Sequence, residues 1–367
     1  MSSEEESQRA KMLSPRLDKT TPDTEAADVC VMTDIECVSL YEVATAIAAV
    51  LRGKNLKVKI ADWGKTHILE KDLIFVGPLY VEIVNYLARF LPGKNIILYA
   101  AVEGVPILDP STKKIAKALT VITPSNYSKT NIEKAGVEVE TVIRHGIPLQ
   151  RKPDTDYSNY IRENIFSPKT QQVTLYVAKN EYRKAIDKFL VACKIWERLV
   201  PTSFSILHSG GAPEKIGYEV PKIMQTLSLK RTWFTNQFGL LNHNRVDAFY
   251  DLMNFYTCPS MTEGFNLPII EAFNYGKPVI AIDIPPHREL IQHEKTGLLV
   301  PYTKAETLRW LGKVDLEIYQ YDVDALIHAM VKMNDPDMQA KMAKEAYAER
   351  EKYDMIPLYS KFVDYVS

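Results

Sequence analysis

The sequence predicts an α/β protein in which each half of the chain builds one parallel sheet covered by helices. Short apolar or β-branched runs alternate with segments of helical period in both halves, and this alternation is typical of βαβ units. A polar, proline-containing stretch separates the two series. At 367 residues, the chain also exceeds what one hydrophobic core usually supports. These observations predict two Rossmann-like domains that face each other across a cleft.

The first half is expected to begin after a polar tail at residues 1–26, which has no apolar period and is predicted to be flexible. The first domain is then predicted at residues 27–147. Its strands are predicted at residues 29–32, 56–61, 73–76, 95–100, 118–123 and 140–144. Its helices are predicted at residues 40–51, 79–90 and 129–135.

The second half follows a segment at residues 148–170 that contains three prolines and is predicted to be a linker with room for one short helix. The second domain is predicted at residues 171–335. Its strands are expected at residues 173–178, 204–208, 231–235, 255–259 and 278–282, and its helices at 183–199, 245–253 and 323–333. A C-terminal helix is predicted over residues 336–367, with a break at Pro357.

The composition favours a globular protein of a reducing compartment. A net charge of −1 supplies no general field for nucleic acid. The four cysteines have neither zinc-ribbon nor disulfide-framework spacing, and no signal peptide or run of 18 apolar residues occurs. We therefore expect a cytoplasmic protein with no transmembrane segment and no nucleic-acid partner. Peripheral membrane contact stays open, with the basic segment 113–117 as its only sign.

The most informative segment is CPSMTEGFNLPIIEAFNYGKPVIA, at residues 258–281. A predicted strand ends near Pro259, and Pro268 stands where the first turn of a helix accepts proline. The free amides at that helix start form an anion site suited to a phosphate. Glu263 and Glu271 bracket the amides with seven residues between them, so they could hold hydroxyl groups on either side of a bound diphosphate.

This segment resembles the E-x7-E region of retaining GT-B glycosyltransferases, most closely family 4. The resemblance covers the PS-x-x-EGF opening and the EA-x-x-x-G-x-PVIA continuation. It implies that Glu271 accepts the ribose hydroxyls of a nucleoside-diphosphate sugar and that Glu263 is a catalytic residue that accepts the sugar hydroxyls. It also implies that the donor lies against Gly264, Phe265, Asn266 and Leu267, that the first domain binds the acceptor, and that the C-terminal helix packs back on that domain.

A second segment, LYVAKNEYRKA at residues 175–185, resembles the family's G-R-x4-K-G sequence, with alanines in place of both glycines. The resemblance assigns Lys179 and Lys184 to catalysis as cations that neutralise the diphosphate leaving group, with Arg183 as a further donor contact. Such cations replace a metal, so no metal and no cofactor are expected.

Other residues are assigned by position in the family pattern. Gly210 and Gly211 follow a predicted strand and are expected near the donor, and Phe238 near its base. Glu103 and His145 belong to the first half. Glu103 is a candidate acceptor residue, and His145 is interpreted as a hinge-positioning residue in preference to a catalytic base. The predicted activity is therefore retaining, metal-independent transfer of a hexose to an unidentified glycan, lipid or protein.

Alternatives remain on the same scaffold: another nucleotide-sugar enzyme, such as an epimerase or hydrolase, or a catalytically silent binding protein. The D-x-D sequence at Asp154 and Asp156 is interpreted as part of the linker and not as a metal site. The sequence contains no G-x-G-x-x-G after the first strand, no G-x4-GK[ST] and no H-E-x-x-H, which removes the main support for dehydrogenase, P-loop and zinc-protease functions.

Overall fold

The computed structural model describes residues 27–64, 68–149, 151–210 and 216–366; the predicted tail at 1–26 lies outside them. Its strands are β1 (Val29–Thr33), β2 (Val58–Asp62), β3 (Asp72–Val76), β4 (Asn95–Tyr99), β5 (Gly104–Pro106), β6 (Thr120–Thr123), β7 (Thr141–Val142), β8 (Gln172–Lys179), β9 (Ser203–Gly210), β10 (Thr232–Phe234), β11 (Phe255–Cys258), β12 (Val279–Ile282), β13 (Gly297–Val300), β14 (Tyr302–Trp310) and β15 (Val314–Tyr321).

The helices alternate with these strands in both halves. They are α1 (Val38–Gly53), α2 (Val81–Leu87), α3 (Pro110–Ala116), α4 (Asn126–Lys134), α5 (Thr155–Asn164), α6 (Ile186–Leu199), α7 (Val220–Thr226), α8 (His243–Leu252), α9 (Leu267–Asn274), α10 (Pro285–Leu290), α11 (Val323–Lys332), α12 (Pro336–Glu349) and α13 (Met355–Tyr359). Short 3₁₀ turns occur at Tyr182–Lys184, Arg350–Tyr353 and Ser360–Tyr365.

Two six-stranded sheets organise the part of the chain that the structure describes, and every pairing in them is parallel. The first has the order β2-β1-β3-β4-β6-β7, and the second has the order β10-β9-β8-β11-β12-β13. The strand order of the second sheet reverses between β8 and β11, and that of the first between β1 and β3. In doubly wound sheets, ligands bind beyond the carboxyl ends of the strands at such a reversal. The predicted α/β class with two Rossmann-like halves is confirmed.

The strands are buried because helices cover both faces of each sheet. All residues of β1, β3, β11 and β12 are buried, which is typical of parallel sheets. One apolar core lies in the second half, and two lie on the faces of the first sheet. No helix among the described residues is long and apolar enough to cross a bilayer.

The C-terminal segment differs from the single helix predicted for it. Helix α12 packs near α9 in the second half, and the chain then turns at Arg350–Tyr353 before α13. Tyr359 and Phe362 join the core of the first half together with Val29. Asp354 interrupts the helix because its backbone is extended and its carboxylate caps α13 by accepting from the Ile356 amide. The break therefore precedes Pro357.

The segment predicted as a linker contains α5. Asp154 is its N-cap and accepts a hydrogen bond from the Tyr157 amide at 3.0 Å. Ile161 of this helix is fully buried in the core of the second half. The D-x-D sequence therefore serves a helix start, since a carboxylate at the N-cap satisfies free amides.

A third, antiparallel sheet with the order β14-β15-β5 was not predicted. Strands β14 and β15 form a hairpin in the second half, whereas β5 belongs to the first half. The hairpin turn places Leu311 and Gly312 at φ values of 49° and 70°, as tight hairpin turns require. The sequence carried a signal on one side of this turn, since residues 314–318 of β15 alternate in polarity.

Candidate active site

A cavity of about 690 Å³ lies between the two halves, at the carboxyl ends of both parallel sheets. The segments after β1 and β3 line it from one side, and those after β8 and β11 from the other. The structure brings the predicted site residues together here: its lining includes Glu103, His145, Lys179, Arg183, Lys184, Gly210, Phe238, Glu263, Gly264, Phe265, Asn266, Leu267 and Glu271. Gly211 lies outside the described residues.

Glu263 is the centre of a buried charge network. Its side chain is only 5% exposed, and Lys184 Nζ lies 2.6 and 2.8 Å from its two carboxylate oxygens. Arg183 adds a longer contact of 3.4 Å. Burial raises the pKa of Glu263, but Lys184 and Arg183 outweigh this effect and lower the pKa to about 2. Glu263 is therefore an ionised acceptor at neutral pH.

Arg183 joins Glu263 to two further carboxylates. Its guanidinium lies 2.7 Å from Glu103 and 2.9 Å from Glu181. Glu181 also pairs with Lys179 at 3.1 Å, and the Lys179 side chain is 47% exposed. Burial raises the pKa of Glu103 although Arg183 opposes that rise. Sequence reasoning missed Glu181, although its position between two predicted cations was a usable signal.

The backbone at Ala185 turns the cations toward Glu263. The helix predicted from Arg183 begins only at Ile186, because Tyr182–Lys184 form a 3₁₀ turn and Ala185 has a left-handed φ of 48°. This region normally favours glycine, and a residue with a Cβ pays about 1–2 kcal/mol to occupy it. Met261 secures the turn by donating its amide to the Arg183 carbonyl at 2.8 Å.

The loop before α9 carries the second element of the site. Asn266 takes a left-handed φ of 89° immediately before the helix, and Pro268 lies in its first turn. Gly264 lies close to the first half, since an added Cβ would come 3.0 Å from the Val102 carbonyl oxygen. Ser125 donates its hydroxyl to the Gly264 carbonyl at 2.9 Å. Contacts from the first half thus hold the loop that leads into α9, and the residues at the start of that helix line the cavity.

Glu271, one turn inside α9, is held by partners that the sequence did not reveal. Arg151 contacts it at 3.2 Å and forms a fork with Asp247 at 2.6 and 2.8 Å. Tyr250 donates its hydroxyl to the other Glu271 oxygen at 2.7 Å. Burial raises the pKa of Asp247, and Arg151 opposes the rise. Arg151 lies in the proline-containing stretch, whose packing no local pattern indicates.

His145 lies at the junction of the two halves. Its Nδ1 is 2.9 Å from the Tyr99 hydroxyl, which donates to the Ile143 carbonyl at 2.7 Å. The single hydroxyl proton is used there, so Nδ1 of His145 donates and Nε2 keeps a lone pair. Burial lowers the pKa of His145 to about 3. Its ring meets Phe265 edge to face at 4.9 Å.

Gly210 and Phe238 lie beside β9 and β10. Glu263 and Glu271 lie on the other side of the point between β8 and β11 where the strand order of the second sheet reverses. Gly210 ends β9, and Phe238 donates its amide to the Ser209 carbonyl at 3.4 Å. The Phe238 ring lies 5.9 Å from His208. An aromatic ring in this place offers a flat apolar surface for a base.

One group among the described residues has metal-ligand chemistry: Cys258, Glu263 and His287 bring ligand atoms within 4.8 Å of one another. The Asn266 amide nitrogen contacts Cys258 Sγ at 3.0 Å, His287 Nε2 at 3.0 Å and Glu263 at 3.4 Å. This amide nitrogen, which carries two N–H groups and offers no lone pair to a metal, already lies among the three side chains, so the group does not present an open metal site.

Comparisons with known proteins agree with this geometry. Residues 158–311 match the family model "Glycosyl transferases group 1". The chain is 24% identical over 352 residues to uncharacterized glycosyltransferase 335 of Sulfolobus islandicus rod-shaped virus 1, covering 89% of this chain and 97% of that protein.

Solved structures show the same fold. Sucrose-phosphate synthase from Thermosynechococcus elongatus superimposes with a TM-score of 0.70 at 16% identity, and Anabaena HepE in complex with UDP and glucose with 0.68 at 15%. Each of these two alignments covers 92% of this chain and 98% of the other protein's chain. The fold and the matched domain define a glycosyltransferase, and its architecture is GT-B.

Proposed function

We propose that this protein is a retaining, metal-independent glycosyltransferase that moves a hexose from a nucleoside-diphosphate sugar to an acceptor. The observation that carries the proposal is the ionised, buried Glu263 beside Lys184, Arg183 and the start of α9. A buried carboxylate that keeps its charge is a strong hydrogen-bond acceptor for sugar hydroxyls. The adjacent cations and free amides suit the diphosphate.

The donor is proposed to lie along the second sheet. Glu271 accepts the ribose hydroxyls, and Phe238 packs against the base. Lys184 and the amides before α9 hold the phosphates, with Lys179 and Arg183 nearby. UDP-glucose is the first donor to test, because structures of HepE contain UDP-glucose, UDP and glucose.

In the proposed step, the bond between the sugar's anomeric carbon and the diphosphate oxygen breaks, and its electron pair stays on that oxygen. The acceptor hydroxyl oxygen bonds to the anomeric carbon on the same face. Its proton passes to the departing diphosphate. Lys184 and Arg183 stabilise the negative charge that develops on the leaving group, which is the task a metal would otherwise perform.

Turnover assays with separated products test this proposal. UDP-, GDP- and ADP-hexoses are incubated with a panel of saccharide, lipid and peptide acceptors in EDTA, and products are followed by NMR. We expect an acceptor-dependent product with the donor's anomeric configuration. Glu263→Gln should abolish it, whereas the matched control Glu219→Gln, at a side chain 78% exposed, should not.

The products also separate the alternatives. Conversion of one sugar nucleotide into another without nucleotide release would indicate an epimerase. Release of free sugar that no acceptor suppresses would indicate a hydrolase. Donor binding without any turnover would indicate a silent binding protein, and an inverted product would contradict the retaining mechanism.

A further inference from the structure

The β14–β15 hairpin joins the second half to the first through backbone pairing. Strand β15 pairs antiparallel with β5, with Leu316 opposite Gly104. A Cβ at Gly104 would lie 2.2 Å from the Asp315 carbonyl oxygen, so glycine is needed for this approach. The Ile107 amide also donates to the Lys313 carbonyl at 2.9 Å. These bonds fix the hairpin against the first half.

The hairpin turn reaches the cavity. Trp310, Lys313 and Val314 line it. The Lys313 ammonium group pairs with the Glu82 carboxylate and lies 5.4 Å from the centre of the Tyr80 ring. Leu311, in the same turn, is 66% exposed and does not line the cavity.

The hairpin is also hydrogen-bonded to the two chain segments that carry Glu103 and Glu263. Strand β5 begins directly after Glu103, which pairs with Arg183. Farther along the hairpin, the Tyr319 amide donates to the Met261 carbonyl at 2.9 Å, two residues before Glu263. The turn therefore belongs to the part of the cavity next to Glu103 and Glu263.

The two ends of the cavity have different charged neighbours. Tyr80 interacts with Glu103, Arg183 and Glu82. Arg151, by contrast, interacts with Glu271, Asp247 and Glu42. Since the Glu271 end is assigned to the donor's ribose, the Tyr80 end is available for the other substrate.

We propose that the hairpin turn, with Tyr80 and Glu82, forms an acceptor subsite that takes a saccharide; this rests on the proposed function. Trp63, Tyr80 and Trp310 supply aromatic rings to the cavity lining, and Glu82 and Lys313 supply charged hydrogen-bonding groups. A pyranose presents an apolar C–H face to such rings and a rim of hydroxyls to such groups. A lipid chain would cover the half-exposed Lys313–Glu82 ion pair without offering it a hydrogen bond, and removing such groups from water without a new partner costs free energy.

The test uses methyl glycosides of glucose, galactose, mannose and N-acetylglucosamine as probes. Each is titrated by NMR onto the full chain with UDP present, and UDP affinity is measured separately by calorimetry. We expect at least one glycoside to bind, and Trp310→Leu to weaken it about tenfold, as loss of an aromatic contact would. UDP affinity should not change, which also shows that the variant is folded.

Leu311→Ala is the matched control in the same turn and should bind glycoside as the wild type does. Lys313→Met provides a second variant that keeps the side-chain bulk, and it too should weaken glycoside binding selectively. No glycoside binding to a wild type that binds UDP, or equal effects of Trp310→Leu and Leu311→Ala, would overturn the saccharide subsite. Failure of the wild type to bind any of UDP, GDP and ADP would instead count against the proposed donor site.

Discussion

The side-chain amide of Asn266 donates a hydrogen bond to Nε2 of His287 at 3.0 Å. Nδ1 of His287 lies 2.7 Å from the Ile282 carbonyl oxygen. Because a carbonyl only accepts, Nδ1 carries the proton and Nε2 keeps its lone pair. Burial lowers the pKa of His287 to about 4, so the ring is neutral at pH 7. His287 thus anchors the residue whose left-handed backbone leads into α9.

Substitutions at Asn266 test that backbone conformation. Glycine and alanine both remove the amide, but only alanine brings a Cβ into the left-handed region. We therefore expect Asn266→Ala to be less stable than Asn266→Gly by about 1 kcal/mol, measured as the free energy of unfolding in urea. Equal stabilities would contradict the left-handed turn.

The Glu263 network predicts a specific loss of stability in acid. The pKa of Glu263 is about 2 in the folded protein against 4.5 as its ordinary value. Ionised Glu263 therefore contributes stability above pH 4.5, and this contribution disappears as the pH falls through 2. The stability difference between wild type and Glu263→Gln should shrink by about 3 kcal/mol over that range.

Urea titrations at a series of pH values measure this difference. Glu219→Gln, which changes an exposed side chain, serves as the control and should leave the pH dependence of the free energy of unfolding unchanged. A difference that stays constant from pH 6 to pH 2 would show that the Lys184 and Arg183 contacts do not depress the pKa of Glu263.

Arg151 is expected to be the main support of Glu271 and Asp247. Arg151→Met leaves both carboxylates without their cation, and removing one partner of a buried ion pair typically costs about 3–5 kcal/mol. Asp247→Asn in the same chain should recover part of that loss. Thermal and urea unfolding of the single and double variants check this, and an additive double variant would contradict the coupling.

His145 is predicted to stay neutral down to low pH. Its folded pKa of about 3 lies below the ordinary value of 6.5, so its stabilising contribution is complete above pH 6.5 and decreases as the pH falls toward 3. As the pH falls from 6.5 to 4, the wild type should therefore lose more free energy of unfolding than His145→Asn does. The difference should be about 1.4 kcal/mol per pH unit. Parallel curves for the two proteins would show that burial does not lower the pKa of His145.

The sequence predicted what local patterns encode. Alternating strands and helices indicated both parallel sheets, and the segment around Glu263 and Glu271 indicated a site at a helix start. Within each half, the site residues lie at one edge of the sheet, because parallel strands present their carboxyl ends there. The cavity lies between these edges of the two sheets.

What the sequence did not reveal depends on tertiary contacts. Residues of β14 are almost all exposed, so their pairing with β15 buries little and leaves a weak apolar pattern. Ala185 is left-handed although alanine is the strongest helix former, since the surrounding packing overrides propensity. The partners of Arg151 lie about 100 positions away along the chain, and nothing local connects them.

Nucleotide binding without a metal tests the account most directly. Calorimetric titration of UDP, GDP and ADP would be carried out in EDTA and again in Mg²⁺, on wild type, Lys184→Ala and the control Lys222→Ala, whose side chain is 76% exposed. We expect one nucleotide to bind equally well in both buffers, and Lys184→Ala, folded by circular dichroism, to bind it about tenfold or more weakly. Binding that requires Mg²⁺, or that Lys184→Ala leaves unchanged, would contradict the metal-free donor site.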